Sequence, residues 1–267
     1  MNALELFSGY LDVTGIAHTH PETTGDPALI GKRLGVLNGS SWITLWANYF
    51  GRKYLPGVHL INVGNEAVQI NFMEAHAAHL PTPPQANIDV FVRYARDLVE
   101  LARVDAVLLT CSTMNRAFPA VQTALAPYHV PVIQIDQPMM QRAVAHGGRV
   151  LVVATHGPTV ASTQALLRET AEAARLPIAF DGLDVAEAWY RLAAGNVEGH
   201  NQALADAIRD RLAADSALSS VVLAQLSMTV FLLSYPDPQA AFGVPVFTSG
   251  QCGFEAVREV LTHVPAS

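Results

Sequence analysis

The stretch Val104-Asp-Ala-Val-Leu-Leu-Thr-Cys-Ser-Thr-Met114 predicts a buried strand that ends in a cluster of polar residues. The four apolar residues Ala106 to Leu109 follow a charged residue and run directly into Thr110, Cys111, Ser112 and Thr113. A short unbroken apolar run is typical of a strand covered on both faces of a parallel sheet. Ligands bind at the carboxyl ends of strands in open α/β sheets, so the polar cluster marks a candidate site.

Cys111 has two interpretations at this position. If Ser112 or Thr113 caps the helix that follows, the thiol lies in the positive field of the helix N-terminus, which favours a reactive thiolate. Free cysteines also occur as small buried hydrophobes, and that alternative stands beside the functional one. An internal repeat in the sequence favours the functional interpretation.

Three segments of the first half recur in the same order in the second half. The pairs are Arg33–Gly39 with Arg149–Thr155 at an offset of 116 residues (149 − 33), Val107–Met114 with Val221–Met228 at 114 (221 − 107), and Val130–Ile133 with Val244–Phe247 at 114 (244 − 130). Such a long period indicates duplicated lobes and not an array of short repeats.

Strands alternate with helices along the whole chain, which predicts an α/β protein with parallel sheets. We divide the chain into an irregular N-terminal extension over 1–30, a first lobe over 31–146, a second lobe over 147–249, and a C-terminal helix over 250–267. This helix is expected to pack back on the first lobe.

Local patterns sharpen this outline. Apolar residues spaced for one face predict a helix from Ile88 to Arg103. The segment Ala75–Ala86 contains three prolines and predicts a surface loop. We further predict a helix that is interrupted or bent at Pro119, and a long helical stretch from 185 to 214 that breaks near Gly195 and Gly199.

Composition narrows the classes of function. The chain has 267 residues, 51% of them hydrophobic, with a net charge of −7 and no run of Lys or Arg. This balance argues against a nucleic acid or an anionic membrane as partner. Two cysteines give no disulfide framework, the first ten residues lack the basic region of a secretory signal, and no apolar run approaches the ~18 residues of a membrane helix. We therefore expect a cytoplasmic protein.

Signals for a cofactor or a metal are weak. No glycine-rich dinucleotide fingerprint or phosphate loop is present, so no nucleotide cofactor is expected. His18 and His20 alternate, but no further ligand follows at a recognisable spacing, so loop histidines are favoured over a metal site. The turn Asn38-Gly-Ser-Ser41 suits a carboxylate or phosphate, and an ordinary helix cap explains it equally well.

With these motifs the sequence resembles the aspartate/glutamate racemase superfamily, which includes amino-acid and hydantoin racemases, maleate isomerase and arylmalonate decarboxylase. The resemblance runs from about Arg33 to the C-terminus. It rests on the duplication, the Thr-Cys-Ser-Thr turn at Cys111, the turn Ala154–Thr159 and the segment Leu223–Met228. It implies two similar lobes related by a pseudo-two-fold axis, with a cysteine from each lobe in the cleft between them. It implies no metal and no organic cofactor.

Carried over residue by residue, the resemblance makes Cys111 the acid/base or nucleophile. The residues it assigns to substrate binding are Asn38, Ser40, Ser41, Ser112, Thr113, Thr155, Thr159, Gln225 and Ser227. The chain departs from the pattern at Gln225, which stands where the duplication would place the second cysteine and whose amide transfers no proton. Candidates for a second acid/base are His156, because the unperturbed pKa of a histidine lies near neutrality, and Cys252.

The expected function is a cofactor-independent isomerase or racemase, or a related lyase. It would act at the carbon next to the carboxylate of a small amino or dicarboxylic acid. Gln225 motivates the alternative, a carboxylate-binding or regulatory protein of the same fold that has lost catalysis. A homo-oligomer is left open.

Overall fold

The computed structural model describes residues 2–15 and 24–263, in which the chain forms two compact units. The first unit contains the described residues up to Ile135 and those from Phe254 onward, and the second contains Asp136–Gly253. His18 and His20 lie outside the described residues. The sequence placed residues up to 146 in the first lobe, whereas in the structure residues 136–146 cluster with the second unit.

The first unit is built on a parallel four-stranded sheet. Its strands are β1 (Arg33–Asn38), β2 (His59–Gly64), β3 (Ala106–Leu109) and β4 (Val132–Gln134), in the order β2-β1-β3-β4. Its helices are α1 (Ala3–Thr14), α2 (Thr44–Tyr54), α3 (Glu66–Ala77), α4 (Gln85–Glu100) and α5 (Phe118–Leu125). Every residue of β3 is buried, as the unbroken apolar run predicts.

The second unit repeats this plan. Its strands are β5 (Arg149–Ala154), β6 (Ala179–Asp184), β7 (Leu218–Leu223) and β8 (Val246–Thr248), in the order β6-β5-β7-β8. Its helices are α6 (Asp136–His146), α7 (Gly157–Ala174), α8 (Ala186–Ala193), α9 (Val197–Ala214), α10 (Phe231–Ser234), α11 (Pro238–Phe242) and the start of α12 (Ser249–His263). The matching strand orders confirm the predicted α/β fold with two similar parallel-sheet lobes.

Alternation along the central strands explains why both faces of each sheet are covered. In β5, Leu151 and Val153 belong to one apolar cluster, while Val150 and Val152 belong to another on the opposite face. Successive side chains of a strand point to opposite faces, so an all-apolar strand needs helices on both sides. The buried side chains Met139, Met140, Ala143 and Val144 of α6 lie in the second of these clusters. This packing is the reason that α6 belongs to the second unit.

The helix predicted from Ile88 to Arg103 is confirmed as α4, and its apolar face is buried. Phe91, Ala95, Leu98 and Val99 of α4 pack in the core of the first unit. The predicted break near Gly195 is also confirmed, since that residue has φ +79° between α8 and α9. Gly199 does not break a helix. It lies in the first turn of α9, where the Asn196 side chain caps its N–H.

Two local predictions are wrong, and a third is resolved between its alternatives. The extension is not irregular throughout, because α1 forms over residues 3–14 with a reciprocal capping box between Asn2 and Glu5. The helical segment near Pro119 is interrupted and not bent, because the 3₁₀ turn Ser112–Ala117 ends before α5, and Pro119 lies in the first turn of α5, where its missing N–H costs nothing. The predicted loop over 75–86 is too long, because α3 continues to Ala77 and α4 begins at Gln85.

Within the described ranges, no helix is long and apolar enough to cross a membrane.

Candidate functional site

Cys111 lies one residue beyond the end of β3, after Thr110, at the carboxyl edge of the first sheet, and the residue is only partly buried, against the edge of the core. The residue is the N-cap of a 3₁₀ turn, Ser112–Ala117, which continues into α5. The prediction that Ser112 or Thr113 caps the helix is wrong, because both lie inside that turn. Thr113 Oγ1 is 3.2 Å from Cys111 Sγ, which is hydrogen-bonding distance for a sulfur. Cys111 therefore begins a helical segment, and the Thr113 hydroxyl lies beside its sulfur.

Gly39 makes the room that this sulfur occupies. A Cβ atom at Gly39 would stand 2.3 Å from Cys111 Sγ, far inside van der Waals contact. The same point is 3.6 Å from Oε1 of Gln69, which α3 brings to this edge of the sheet. Sequence reasoning missed Gln69 because it did not predict α3. The signal was Asn65, which caps the helix, followed by the acidic Glu66.

A buried chain of side-chain hydrogen bonds fixes the strand ends next to the thiol. The Thr110 hydroxyl donates to Asn38 Oδ1 at 2.6 Å, and Asn38 Nδ2 donates to Asn62 Oδ1 at 3.0 Å. Asn62 Nδ2 then donates to Asn48 Oδ1 at 2.9 Å. Asn38 is only 1% exposed, so the structure places it as a residue that ties β1, β2 and β3 together.

The turn after β1 already holds a carboxylate of the protein itself. The Ser41 N–H donates to Glu66 Oε1 at 2.9 Å, and the Ser41 hydroxyl donates to the same oxygen. The hydroxyl bond is the largest cause that holds the pKa of the Glu66 carboxyl below its ordinary value. Ser40 precedes these donors and is buried. A carboxylate of the chain itself therefore occupies the Ser41 donors, and substrate binding by this turn stays a prediction.

In the second unit, Gln225 occupies the position that Cys111 has in the first. It lies one residue beyond the end of β7, after Ala224, and is the N-cap of a 3₁₀ turn, Leu226–Val230. Its Oε1 accepts two hydrogen bonds from Thr155, one from the backbone N–H at 2.8 Å and one from the hydroxyl at 2.9 Å. Thr155 follows β5 as Gly39 follows β1, so the Thr155–Gln225 pair corresponds to the Gly39–Cys111 pair. The amide nitrogen retains two N–H donors that Thr155 does not use.

The other predicted residues of the second unit lie near the same strand ends. His156 is partly exposed and is the N-cap of α7, while Thr159 is buried in the first turn of that helix. Ser227 is buried in the turn after Gln225. A Cβ at Gly157 would be 3.2 Å from Asp184 Oδ2, so a second internal carboxylate approaches the start of a helix here.

Cys252 lies in the first turns of α12 and is 1% exposed. It belongs to the apolar cluster that contains Met139, Met140 and Val222. The candidate second thiol is therefore part of a hydrophobic core, in contrast to the partly exposed Cys111.

Metal ligation has no structural support in the described residues. Across residues 2–15 and 24–263, no group of three or more His, Cys, Asp or Glu side chains is arranged to hold a metal ion.

Comparison with known proteins gives the fold family. The model of the Asp/Glu/Hydantoin racemase family matches residues 63–257. No curated protein matches the chain. Similar solved structures include an aspartate racemase from Picrophilus torridus, with a TM-score of 0.61, 12% identity, and 86% of this chain and 94% of that one covered.

Two further structures have the same fold. One is the glutamate racemase from Francisella tularensis subsp. tularensis SCHU S4 in complex with D-glutamate, with a TM-score of 0.59, 15% identity, and 86% and 81% of the two chains covered. The other is an allantoin racemase from Klebsiella pneumoniae, with a TM-score of 0.57, 17% identity, and 86% and 88% covered. At these identities the likeness describes the fold alone.

Proposed function

The chain belongs to the Asp/Glu/hydantoin racemase family, and on that premise we propose that it is a racemase-type isomerase, or a related lyase, that uses Cys111 in place of a cofactor. Its substrate is a small amino or dicarboxylic acid, and the reacting atom is the carbon next to the carboxylate. The proposal rests on Cys111, which is only partly buried and whose sulfur lies in the space that Gly39 leaves beyond the end of the central strand β3.

The chemistry follows from what a thiol can do beside an acidic carbon. A thiolate removes the proton from the carbon next to the carboxylate, which leaves an enediolate-like anion and a thiol. Return of a proton by the same thiol regenerates the substrate with its hydrogen exchanged, so inversion of the carbon requires that water or a second group protonates the opposite face. In a decarboxylation, the thiol protonates the carbanion that remains when carbon dioxide leaves. Hydrogen-bond donors that face the anionic oxygens lower the barrier. Thr113, 3.2 Å from the sulfur, orients the thiol or stabilises its charge. The reaction requires reduced Cys111, which suits the cytoplasm.

We assign Gln225 a binding role and no part in proton transfer. Its carbonyl oxygen accepts both Thr155 donors, so the side chain is held in one orientation and its amide nitrogen serves as the donor. An amide donor binds a carboxylate or stabilises an anionic oxygen without exchanging a proton at neutral pH. Cys111 then provides proton transfer at one face of the carbon, which is sufficient for decarboxylation or a one-sided isomerisation, whereas racemisation needs a second proton source at the other face.

Hydrogen exchange tests the proposal without knowledge of the product. Small amino and dicarboxylic acids are incubated with the protein in D₂O, and loss of the α-proton is followed by NMR. We expect exchange with at least one acid, and we expect Cys111→Ala to slow it by about 10²–10⁴-fold. Cys252→Ala is the matched control, which should retain exchange because its thiol is buried in the core. Undiminished exchange in Cys111→Ala would refute the assignment of the acid/base.

A second function has its own support in the two turns. Thr155 engages the Gln225 oxygen and Glu66 engages the Ser41 donors, and both arrangements suit a protein that binds a carboxylate without transforming it. Such a protein would bind a small acid, detected by calorimetry, but would catalyse no hydrogen exchange in any acid that it binds. Binding together with exchange favours the isomerase.

A further inference from the structure

The N-terminal helix α1 lies on the first unit with its apolar side chains in solvent. None of its 12 residues is buried, and its large apolar side chains are exposed, with Leu4 at 78% and Phe7 at 63%. A helix of this length is marginal in water unless packing stabilises it. The capping box at its start stabilises one end only.

The apolar residues of α1 cover about half of its circumference. Leu4, Phe7 and Leu11 are spaced by three and four residues and share one side, and Leu6 and Tyr10 extend that side. The charged residues Glu5 and Asp12 lie on the other half. The helix is amphipathic, yet the face that would normally be buried is open.

The neighbouring helix α2 also carries exposed apolar side chains. The two helices pack together, and Arg52 Nη1 of α2 donates to the Asp12 carbonyl of α1 at 2.6 Å. Trp42, Leu45 and Tyr49 form the outer stripe of α2 and its preceding turn, and each is exposed. We call the exposed apolar side chains of both helices the α1–α2 face: Leu4, Leu6, Phe7, Tyr10, Leu11, Trp42, Leu45 and Tyr49.

The size of the α1–α2 face matches one half of a stable interface. From their exposed fractions, these side chains present roughly 800 Å² of surface, given about 150–250 Å² for a whole aromatic side chain and slightly less for leucine. A standard interface buries about 800 Å² on each partner, whereas the largest apolar patch of a typical monomer is about 300–600 Å².

We propose that the α1–α2 face is where two copies of this chain associate. In a two-fold dimer each patch meets its own copy, so the patch must be free of charges that would face like charges. The α1–α2 face consists of apolar and aromatic residues, so two chains that each carry a net charge of −7 meet through neutral surface. A lipid surface fits poorly, because α1 carries acidic residues and no Lys or Arg on its polar side.

The position of α1 in the chain supports a separate role for it. It lies outside residues 63–257, the part of the chain that the family model matches. The proposed dimer contact uses none of the residues assigned to the chemistry at Cys111.

Sedimentation velocity of the full chain over a range of concentrations tests the proposal. The wild type should sediment as a dimer that dissociates on dilution. The double variant Phe7→Glu, Leu11→Glu keeps good helix formers in α1 and should raise the dissociation constant at least about 100-fold. The matched control is Leu101→Glu, at the end of α4, whose side chain is 81% exposed and outside the α1–α2 face. It should sediment as the wild type does.

Two outcomes would overturn the proposal. A wild type that remains monomeric at every concentration shows that two copies do not cover this face, even if vesicles or another protein bind it. A double variant that dimerises as tightly as the wild type shows that the contact lies elsewhere. Circular dichroism and chemical denaturation of the double variant establish that the unit is still folded.

Discussion

In the first unit a glycine faces a cysteine across the ends of two adjacent strands, whereas in the second unit a threonine faces a glutamine at the corresponding place. Gly39 leaves the space that Cys111 Sγ fills, and the sulfur remains partly exposed. Thr155 instead supplies two donors, which hold the Gln225 oxygen at 2.8 and 2.9 Å. The same backbone plan thus presents a thiol that can exchange a proton in one unit and an immobilised amide in the other.

A second feature is shared by the two turns. Glu66 accepts from Ser41 at the start of the first helical segment, and Asp184 approaches Gly157 at the start of α7. Exposed backbone N–H groups at helix starts attract anions, and a carboxylate of the protein accepts such an N–H in the first unit and approaches the helix start in the second. The difference between the units therefore lies in the residues after β3 and β7, and the following predictions address it.

The largest expected contrast is between the two thiols. Iodoacetamide should modify Cys111 at least about 1,000-fold faster than Cys252, because the buried thiol becomes accessible only when its unit opens. Mass spectrometry of peptides from a time course measures both rates in one sample. Equal rates would mean that Cys111 is as enclosed as Cys252, and would remove the basis for its catalytic role. In Cys111→Ser the fast phase should disappear.

Filling the space at Gly39 should slow hydrogen exchange at the Cys111 site. In Gly39→Ala the new methyl group would stand 2.3 Å from Cys111 Sγ, so the thiol must shift. Displacement of a reacting group by about 1 Å can cost about 100-fold in rate, and we expect that loss in hydrogen exchange. Gly9→Ala is the matched control, because a Cβ there meets no atom within 4 Å among the described residues. Full activity in Gly39→Ala would show that the close approach of glycine and sulfur is unnecessary.

Removing the Gln225 amide should lower the stability of the second unit moderately. Gln225→Leu leaves the N–H and hydroxyl of buried Thr155 without their acceptor, which should lower the free energy of unfolding by about 1–3 kcal/mol. Gln225→Glu keeps an acceptor oxygen, so its stability should stay near that of the wild type. Its added negative charge should weaken binding of an anionic substrate, seen as a raised KM with less change in kcat. Urea denaturation and steady-state kinetics separate the two effects, and unchanged KM in Gln225→Glu would contradict the binding role.

The smallest expected effect is the contribution of His200, in the second unit, to the pH dependence of stability. Burial lowers the pKa of His200 below its ordinary value of 6.5, and its Nδ1 donates to the Ala188 carbonyl at 2.9 Å. Below pH 6.5 the unfolded chain binds a proton there that the folded chain does not, so this residue makes the free energy of unfolding fall as pH decreases and leaves it constant above pH 6.5.

The variant His200→Asn keeps a donor near the Nδ1 position and removes the titration. Its stability should be lower overall, but with a shallower decline between pH 6.5 and more acidic values. Urea denaturation at several pH values measures how the free energy of unfolding changes with pH in the wild type and in the variant. Contributions from other titratable groups cancel in the difference between the two slopes. Identical slopes would show that His200 is already protonated in the folded protein.

The local sequence signals are sufficient where a pattern repeats within a few residues. The unbroken apolar run predicts β3, the helical spacing of apolar residues predicts the buried face of α4, and the duplication pairs Cys111 with Gln225 from their positions in the chain alone. The helices α1, α3 and α6 are not predicted, because the apolar residues of α1 face solvent and the faces of α3 and α6 are interrupted by polar residues.

The sequence by itself determined two parallel α/β lobes and the placement of Cys111 at a strand end, because burial of a strand and polarity at its end are properties of adjacent residues. The fit of that sulfur against Gly39, the arrival of Gln69, the Glu66 carboxylate on Ser41 and the Thr155 donors on Gln225 were decided only by the tertiary structure. The partners in the last two pairs are 25 and 70 residues apart, so their contact depends on strand order and register. Hydrogen bonds and close contacts act over a few ångströms in space, and no pattern along the chain encodes which distant atoms will be that near.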